Sequence, residues 1–408
     1  MRLINFKEYY RYLFDRGYVN FAITIFSTGL IFLCNVFLPL ISDAQTIGSA
    51  VYVIAAANLI VNFVGFGYFQ LLVRNLNLPK KDPNFMEEAK EMILLSLIFV
   101  FLLVLVFYKL SLISLTILYI LLPVAYLNFL ISYSKSIGQV EFSNFLESLL
   151  KPLALPIAIL VLALFSGTFE LVYSIIILII IFVALFYNKK QITFLFPRYL
   201  IKPSKKNFVN ASNLMFVGVI YIFYSQSDII LVKNFLSEKD VTIFYLVTRI
   251  SSIILIVFIS IKNKFVPEVA KLTGASNHIE AISLLNKIKI QCTYIAIPMI
   301  LITYLFSYLL ETYVYSSEYE GLSNYVIFCS VGYFFSAFLA VKETLFIVTD
   351  SVNQLKYFYL FALICGVSIS ITLFNFDFGI WSFLIGHCSA FIIASILIYI
   401  NSKKIIYE

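Results

Sequence analysis

Apolar residues run along this chain in twelve blocks, each close to the length a helix needs to cross a bilayer. A hydrocarbon core of about 30 Å takes about 20 residues at 1.5 Å per residue. Blocks of this kind lie approximately over 19–41, 46–72, 92–109, 112–131, 153–169, 171–187, 210–232, 242–262, 291–311, 322–343, 357–374 and 378–400. Each block must satisfy its own backbone in lipid, so the pattern predicts helices throughout. Two hairpins, at 109–112 and 167–171, place almost no polar residue between their helices.

The polar segments between blocks alternate in charge. Segments 1–18, 73–91, 132–152, 188–209, 262–290, 342–356 and 401–408 hold 25 of the 29 Lys and Arg residues. The segments between them supply only Lys109, Lys233 and Lys239, and Arg249 falls inside a block. Cytoplasmic loops carry such an excess, so both termini are expected inside, with an even number of spans. The net charge of +7 then reflects topology and anionic lipid, and argues against a nucleic-acid partner. Every outer segment is short, so any chemistry must sit within the helices or at small loops. A bacterial cytoplasmic (inner) membrane is the expected location.

Composition agrees: 62% of residues are hydrophobic and 12% charged, against about a quarter charged in soluble domains. The first block is longer than a signal-peptide core and lacks an A-x-A-like end, so it is read as a retained helix. Cys34, Cys292, Cys329, Cys365 and Cys388 all fall in apolar runs without a CxxC pair. They read as small buried hydrophobes. His278 and His387 are too few and too scattered for a metal site, and neither metal nor cofactor is expected.

Asn35 and Tyr52 stand 17 residues apart, as do Asp228 and Tyr245. The spacing suggests parallel internal repeats related by an axis along the membrane normal. The expected architecture is therefore an all-α polytopic membrane protein of about twelve helices in two six-helix lobes. The lobes would cover 1–187 and 210–408, joined by a basic cytoplasmic linker at 188–209.

Polar groups at membrane depth are costly, which makes each one a candidate. Asp228 and Arg249 lie roughly 9 and 13 Å below the outer loop by helical rise, where they could pair across the hairpin. The plainer reading is an ion pair that fixes packing, but charges at depth more often mark a substrate or proton path. Gln226, Asn35, Asn58 and Asn62 are the further candidates for a shared cavity, with interhelical hydrogen bonding as their plainer role. Lys342 and Glu343, ending the tenth block, suit either snorkelling or a gate. His387 is expected to be a packed polar residue rather than a proton relay. Pro39, Pro123, Pro156 and Pro298 lie in apolar runs, where each can kink a helix. The aromatic content of 17% reads mostly as interfacial belts. No Walker A loop, G-x-S-x-G elbow or H-E-x-x-H motif is present, so no enzyme is expected.

Four segments carry a family resemblance. Ser227-Asp-Ile-Ile-Leu-Val through Tyr245-Leu-Val-Thr-Arg-Ile resembles the seventh-to-eighth helix hairpin of polysaccharide exporters. Pro267 in Lys264-Phe-Val-Pro-Glu-Val-Ala is similar to the proline after their eighth helix. Gly65-Phe-Gly-Tyr-Phe-Gln resembles the inner end of their second helix, and Ser136-Ile-Gly-Gln-Val-Glu-Phe-Ser-Asn the loop before their fifth. The family is the multidrug/oligosaccharidyl-lipid/polysaccharide exporter superfamily. Length and span count look most like its Wzx-type repeat-unit flippases. Such flippases often carry basic residues in helices one and two, where this chain has Asn35, Asn58 and Asn62.

The resemblance implies translocation of undecaprenyl-pyrophosphate-linked oligosaccharide by alternating access, for O-antigen or capsule assembly. A polymerase and a chain-length regulator of the same pathway are candidate partners. In that reading Arg249 attracts the diphosphate, while Asp228 holds Arg249 in the empty protein or takes up a coupled proton. The alternatives are a cation-coupled multidrug exporter of the same superfamily and, from another class, a membrane polysaccharide polymerase. Polymerases typically present a large basic outer loop, which is lacking here.

Overall fold

A computed structural model describes residues 16–69, 71–72, 85–109, 114–137, 139–187, 204–255, 258, 269, 272–273, 278–348 and 352–402. All elements among them are helical. Ten are long and apolar enough to cross a membrane, and the molecule is an all-α polytopic membrane protein. Two further expected spans are shorter among the described residues: a first helix with apolar part Phe26–Leu40, and Glu238–Ser251. The hairpin residues 110–113, residues 188–203 of the basic linker and the Pro267 segment lie outside the described residues.

The chain divides into two compact units, Met1–Ser42 with Ala56–Val219, and Asp43–Ala55 with Ile220–Glu408. The first contains α1 (Arg16–Val36), α3 (Phe85–Lys109), α4 (Ile117–Ser136), α5 (Val140–Phe145), α6 (Lys151–Leu164) and α7 (Phe169–Tyr187). Two helices contribute to both units: α2 (Ala44–Val61) and α8 (Lys205–Phe235).

In the first unit, α4 and α6 pack on α7, and α1 packs on α5 and the π-helical turn Leu146–Leu150 that runs into α6. The outer face of α7 keeps Ile179, Phe182 and Phe186 more than half exposed. A surface like this would associate in water and is stable in lipid. The second block was expected to be a single span over 46–72. Instead α2 stops at Val61, and Gly65, Phe66 and Gly67 follow with φ of 82°, 43° and 80°. The two glycines tolerate the left-handed turn, and the Gly65 amide donates to Ser96 Oγ on α3 at 2.6 Å. A Cβ on Gly67 would stand 1.9 Å from the Ala211 carbonyl of α8, so only glycine allows that approach.

The N-terminus of α8 is held by a buried carboxylate. Glu88 Oε1 accepts from the Tyr68 hydroxyl at 2.8 Å and the Ser204 amide at 3.0 Å, and Oε2 from Asn207 Nδ2 at 2.9 Å. A charge at a helix start offsets the unpaired amides there. Burial and the bond to Glu88 push the Tyr68 phenol well above its ordinary range.

The second unit adds α9 (Glu238–Ser251), α10 (His278–Leu309), α11 (Leu322–Ala340), α12 (Glu343–Val348), α13 (Val352–Phe374) and α14 (Ile380–Asn401). Its centre is α14, packed on α11 and α13, with α10 and α9 against α11. Small residues let these backbones close, as membrane helices require. A Cβ on Gly366 would meet Ala390 Cβ at 2.7 Å, and one on Gly332 would meet Cys388 Sγ at 2.7 Å. Ser237 and Asp240 cap α9 reciprocally, and Glu311 accepts the Gly321 and Ser323 amides at the start of α11. The helices α4, α6 and α10 run on through Pro123, Pro156 and Pro298, whereas Pro39 sits in a short 3-10 turn after α1.

The N-terminal part of α2, up to Ala55, belongs to this unit. Thr242 on α9 donates its hydroxyl to the Ala44 carbonyl, and Gly48 lies directly against the Glu238 carbonyl. Asp43 caps α2 by accepting the Thr46 amide at 2.9 Å and the Thr46 hydroxyl at 2.8 Å.

Candidate functional site

Three helices of the second unit each place two side chains one turn apart on a shared face. They are Tyr224 and Asp228 on α8, Cys329 and Tyr333 on α11, and His387 and Phe391 on α14. Spacing of four residues puts side chains next to one another along a helix. The six meet in one buried cluster. Asp228 Oδ2 lies 2.5 Å from His387 Nδ1, and the Tyr333 hydroxyl lies 2.7 Å from His387 Nε2. Asp228, His387 and Tyr333 are 6%, 4% and 3% exposed, so their polar groups are satisfied by one another rather than by water.

Aromatic rings close the cluster. Phe391 has its centroid 4.8 Å from His387, 4.7 Å from Tyr224 and 5.4 Å from Tyr333. Phe244 of α9 stands edge-on to the imidazole at 5.5 Å. Cys329 and Cys388 lie beside it with 3.7 Å between their sulfurs. They are packed thiols, as their apolar setting in the sequence suggests.

The chemistry follows from the hydrogen-bond inventory. A carboxylate only accepts, so His387 Nδ1 carries hydrogen toward Asp228. Nε2 can then accept from the Tyr333 hydroxyl as neutral imidazole, or donate to it as imidazolium. Tyr333 serves either state because a phenol both donates and accepts.

The pairing expected between Asp228 and Arg249 is not made; among the described residues the ion-pair partner of Asp228 is His387. Arg249 is exposed, with its guanidinium 5.1 Å from the centroid of buried Tyr245 one turn earlier. A cation over a ring face is favourable and leaves the outer edge of the guanidinium open. The reason for the swap is directional. Asp228 faces the α11–α14 side with Tyr224, while Arg249 falls on the exposed side of α9.

The remaining candidates scatter. Gln226 is half-buried on α8. In the first unit Asn35 is buried on α1, and its Oδ1 finds no hydrogen-bond partner among the described residues. Asn62 donates to the Asn58 carbonyl at 2.6 Å, closing the end of α2. His387 is the residue that a sequence reading undervalues. A lone histidine on an apolar helix has the appearance of packing, and only the fold brings Asp228 and Tyr333 to its two nitrogens. Lys342, which is buried, and Lys289 approach the Tyr399 ring at 4.2 and 5.3 Å.

No family model matches the chain, and no curated protein matches it. Solved structures do. An inward-facing multidrug resistance MATE family transporter of the MOP superfamily superposes with TM-score 0.62 at 12% identity, covering 96% of this chain and 98% of that one. The chain has the fold of the MATE transporters. A MATE in the straight conformation gives TM-score 0.57 at 12% identity, with 95% and 94% covered. An outward-facing MATE family transporter gives 0.56 at 13%, also with 95% and 94% covered.

Proposed function

We propose that this protein flips undecaprenyl-pyrophosphate-linked oligosaccharide repeat units from the inner to the outer leaflet, for O-antigen or capsule assembly. The observation that carries this reading is which charge stands open. The carboxylate of Asp228 is enclosed and bonded to His387, whereas the guanidinium of Arg249 is exposed on the neighbouring helix. A site built for cationic drugs would present its acid, and an anionic cargo needs the reverse. A guanidinium also offers a planar pair of donors that matches a phosphate edge.

MATE proteins of this fold are known in inward-facing and outward-facing forms. The same alternation here would carry a sugar and diphosphate head through the protein while the lipid tail stays in the bilayer. In the first unit, Asn35 keeps a side-chain oxygen that no described residue fills, an acceptor for a sugar hydroxyl. The neighbours' drug transport makes a multidrug exporter the second reading.

The test is a gene deletion complemented with wild type, Arg249→Lys or Arg249→Ala. The deletion should accumulate single lipid-linked repeat units on the cytoplasmic face, and Arg249→Ala should fail to restore surface polysaccharide. Normal polysaccharide from Arg249→Ala at equal expression would refute the role of Arg249. Altered drug susceptibility with normal lipid-linked sugars would favour the exporter.

A further inference from the structure

We infer that Lys289, backed by Lys342, binds the phosphate of an anionic phospholipid at the cytoplasmic end of the second unit. Two ammonium groups converge there on one ring. Lys342, just past the end of α11, lies 4.2 Å from the Tyr399 centroid of α14, and Lys289 of α10 lies 5.3 Å from it. Lys289 also stands 3.6 Å over the ring of Phe338, one turn before Lys342. A ring attracts a cation but supplies none of the oxygen acceptors that an ammonium's three donors seek. Among the described residues no carboxylate forms a salt bridge with Lys289. Glu343, next in sequence to Lys342, bonds to the Tyr359 hydroxyl of α13. Two like charges drawn to one ring repel each other. A phosphate beside them offsets that repulsion and adds charge-assisted hydrogen bonds.

The level along the helices suits a headgroup. From Lys289 to its end at Leu309, α10 rises about 30 Å, the thickness of a hydrocarbon core. Lys342 follows the last turn of α11, and Tyr399 lies in the last turn of α14. Three basic segments meet here: 262–290 brings Lys289, 342–356 brings Lys342, and 401–408 begins just after Tyr399. Segments of that composition face the cytoplasm, where the leaflet is anionic and basic pockets between helices take lipid headgroups.

Apolar surface leads away from the charges. Ile327, Val331 and Phe335 are 36%, 38% and 51% exposed at one-turn intervals along α11, and the stripe ends at Phe338 beneath Lys289. Such a stripe accommodates an acyl chain, so charge and chain together select an amphiphile over a soluble anion. The two lysines play different parts. Lys289 is half-buried and makes the direct contact. Lys342 is buried and acts from behind, as a fixed positive charge that raises the local potential. The occupant is a resident lipid rather than cargo, so this site stands or falls apart from the flipping reading.

The experiment follows thermal unfolding of the full-length, delipidated protein in detergent as phosphatidylglycerol, phosphatidylcholine or inorganic phosphate is added. A ligand of the folded state raises Tm. Wild type should respond to phosphatidylglycerol at far lower concentration than to phosphatidylcholine, and not to inorganic phosphate. A lysine at an anionic lipid surface is worth about fivefold in affinity. Lys289→Gln should therefore raise the half-saturating phosphatidylglycerol concentration about fivefold, and adding Lys342→Gln should raise it further. Lys287→Gln, at an exposed lysine of the same helix outside the cluster, should leave it unchanged. An equal response to the two lipids, an unshifted titration in Lys289→Gln, or an equal loss in Lys287→Gln would each overturn the proposal. Stabilisation by inorganic phosphate at matched concentration would reveal a site for the free anion and overturn the lipid assignment. Should the Lys342→Gln protein fail to fold, Lys289→Gln against Lys287→Gln decides, because neither of those side chains is buried.

Discussion

Gly48 is where α2 and α9 touch backbone to backbone, and Gly48→Ala is expected to open that contact. An added Cβ would stand 1.8 Å from the Glu238 carbonyl oxygen and 2.9 Å from Thr242 Oγ1. Ordinary contact begins at 3.4 Å, so the two helices must separate by about 1.6 Å. The nearest atom is backbone, and no side chain can rotate away to make room. Overpacking of this kind costs about 1–3 kcal/mol. The same displacement stretches the bond from the Thr242 hydroxyl to the Ala44 carbonyl, worth about 1 kcal/mol. Alanine returns about 1 kcal/mol through its better helix propensity. The net expectation is about 1–3 kcal/mol of destabilisation. Thermal unfolding in detergent reads it directly, with Gly29→Ala on α1 as the control. Nothing lies within 4 Å of a Cβ built on Gly29, so that variant should hold or raise Tm. Thr242→Ala combined with Gly48→Ala should cost less than the two separately, since both act on one contact. A Gly48→Ala protein at least as stable as wild type would refute the reasoning.

Two more predictions concern helix ends. Glu88→Gln removes a charge that accepts three hydrogen bonds and turns donors toward donors. It should cost about 1–3 kcal/mol, while Tyr68→Phe should cost about 1 kcal/mol, both read by thermal unfolding. At Asp43 burial works against the charge, but the bonds from Thr46 outweigh it and hold the carboxyl below its ordinary range. The folded form then prefers the carboxylate. Its stabilising effect is present above the unfolded value near pH 3.9 and is lost as pH falls through the lower folded value. Amide exchange at the start of α2 should be slower in wild type than in Asp43→Asn at pH 7. That difference should disappear once pH has fallen below the lowered folded value; one that persisted in strong acid would show that the cap does not act through charge.

Lipid as solvent, helix as element and approximate span positions were legible in the sequence. They depend on one-dimensional quantities, the length of apolar runs and the placing of Lys and Arg, and the described helices follow those runs. The break after Val61 was less legible. Gly65 and Gly67 are visible as residues, but an apolar run shows no backbone direction, and the left-handed turn follows from the approach of Ala211.

The site divides in the same way. Asp228 and Arg249 were conspicuous because charge at membrane depth is expensive wherever it points. The partner of each was not legible. Asp228 and His387 are 159 residues apart, and no spacing rule on one helix can relate them. The sequence by itself determined that this protein lives in a membrane, as a bundle of helices carrying a few costly charges. Tertiary structure alone decided that the acid is closed against a histidine and the guanidinium left open, because that depends on which faces of α8, α9, α11 and α14 meet.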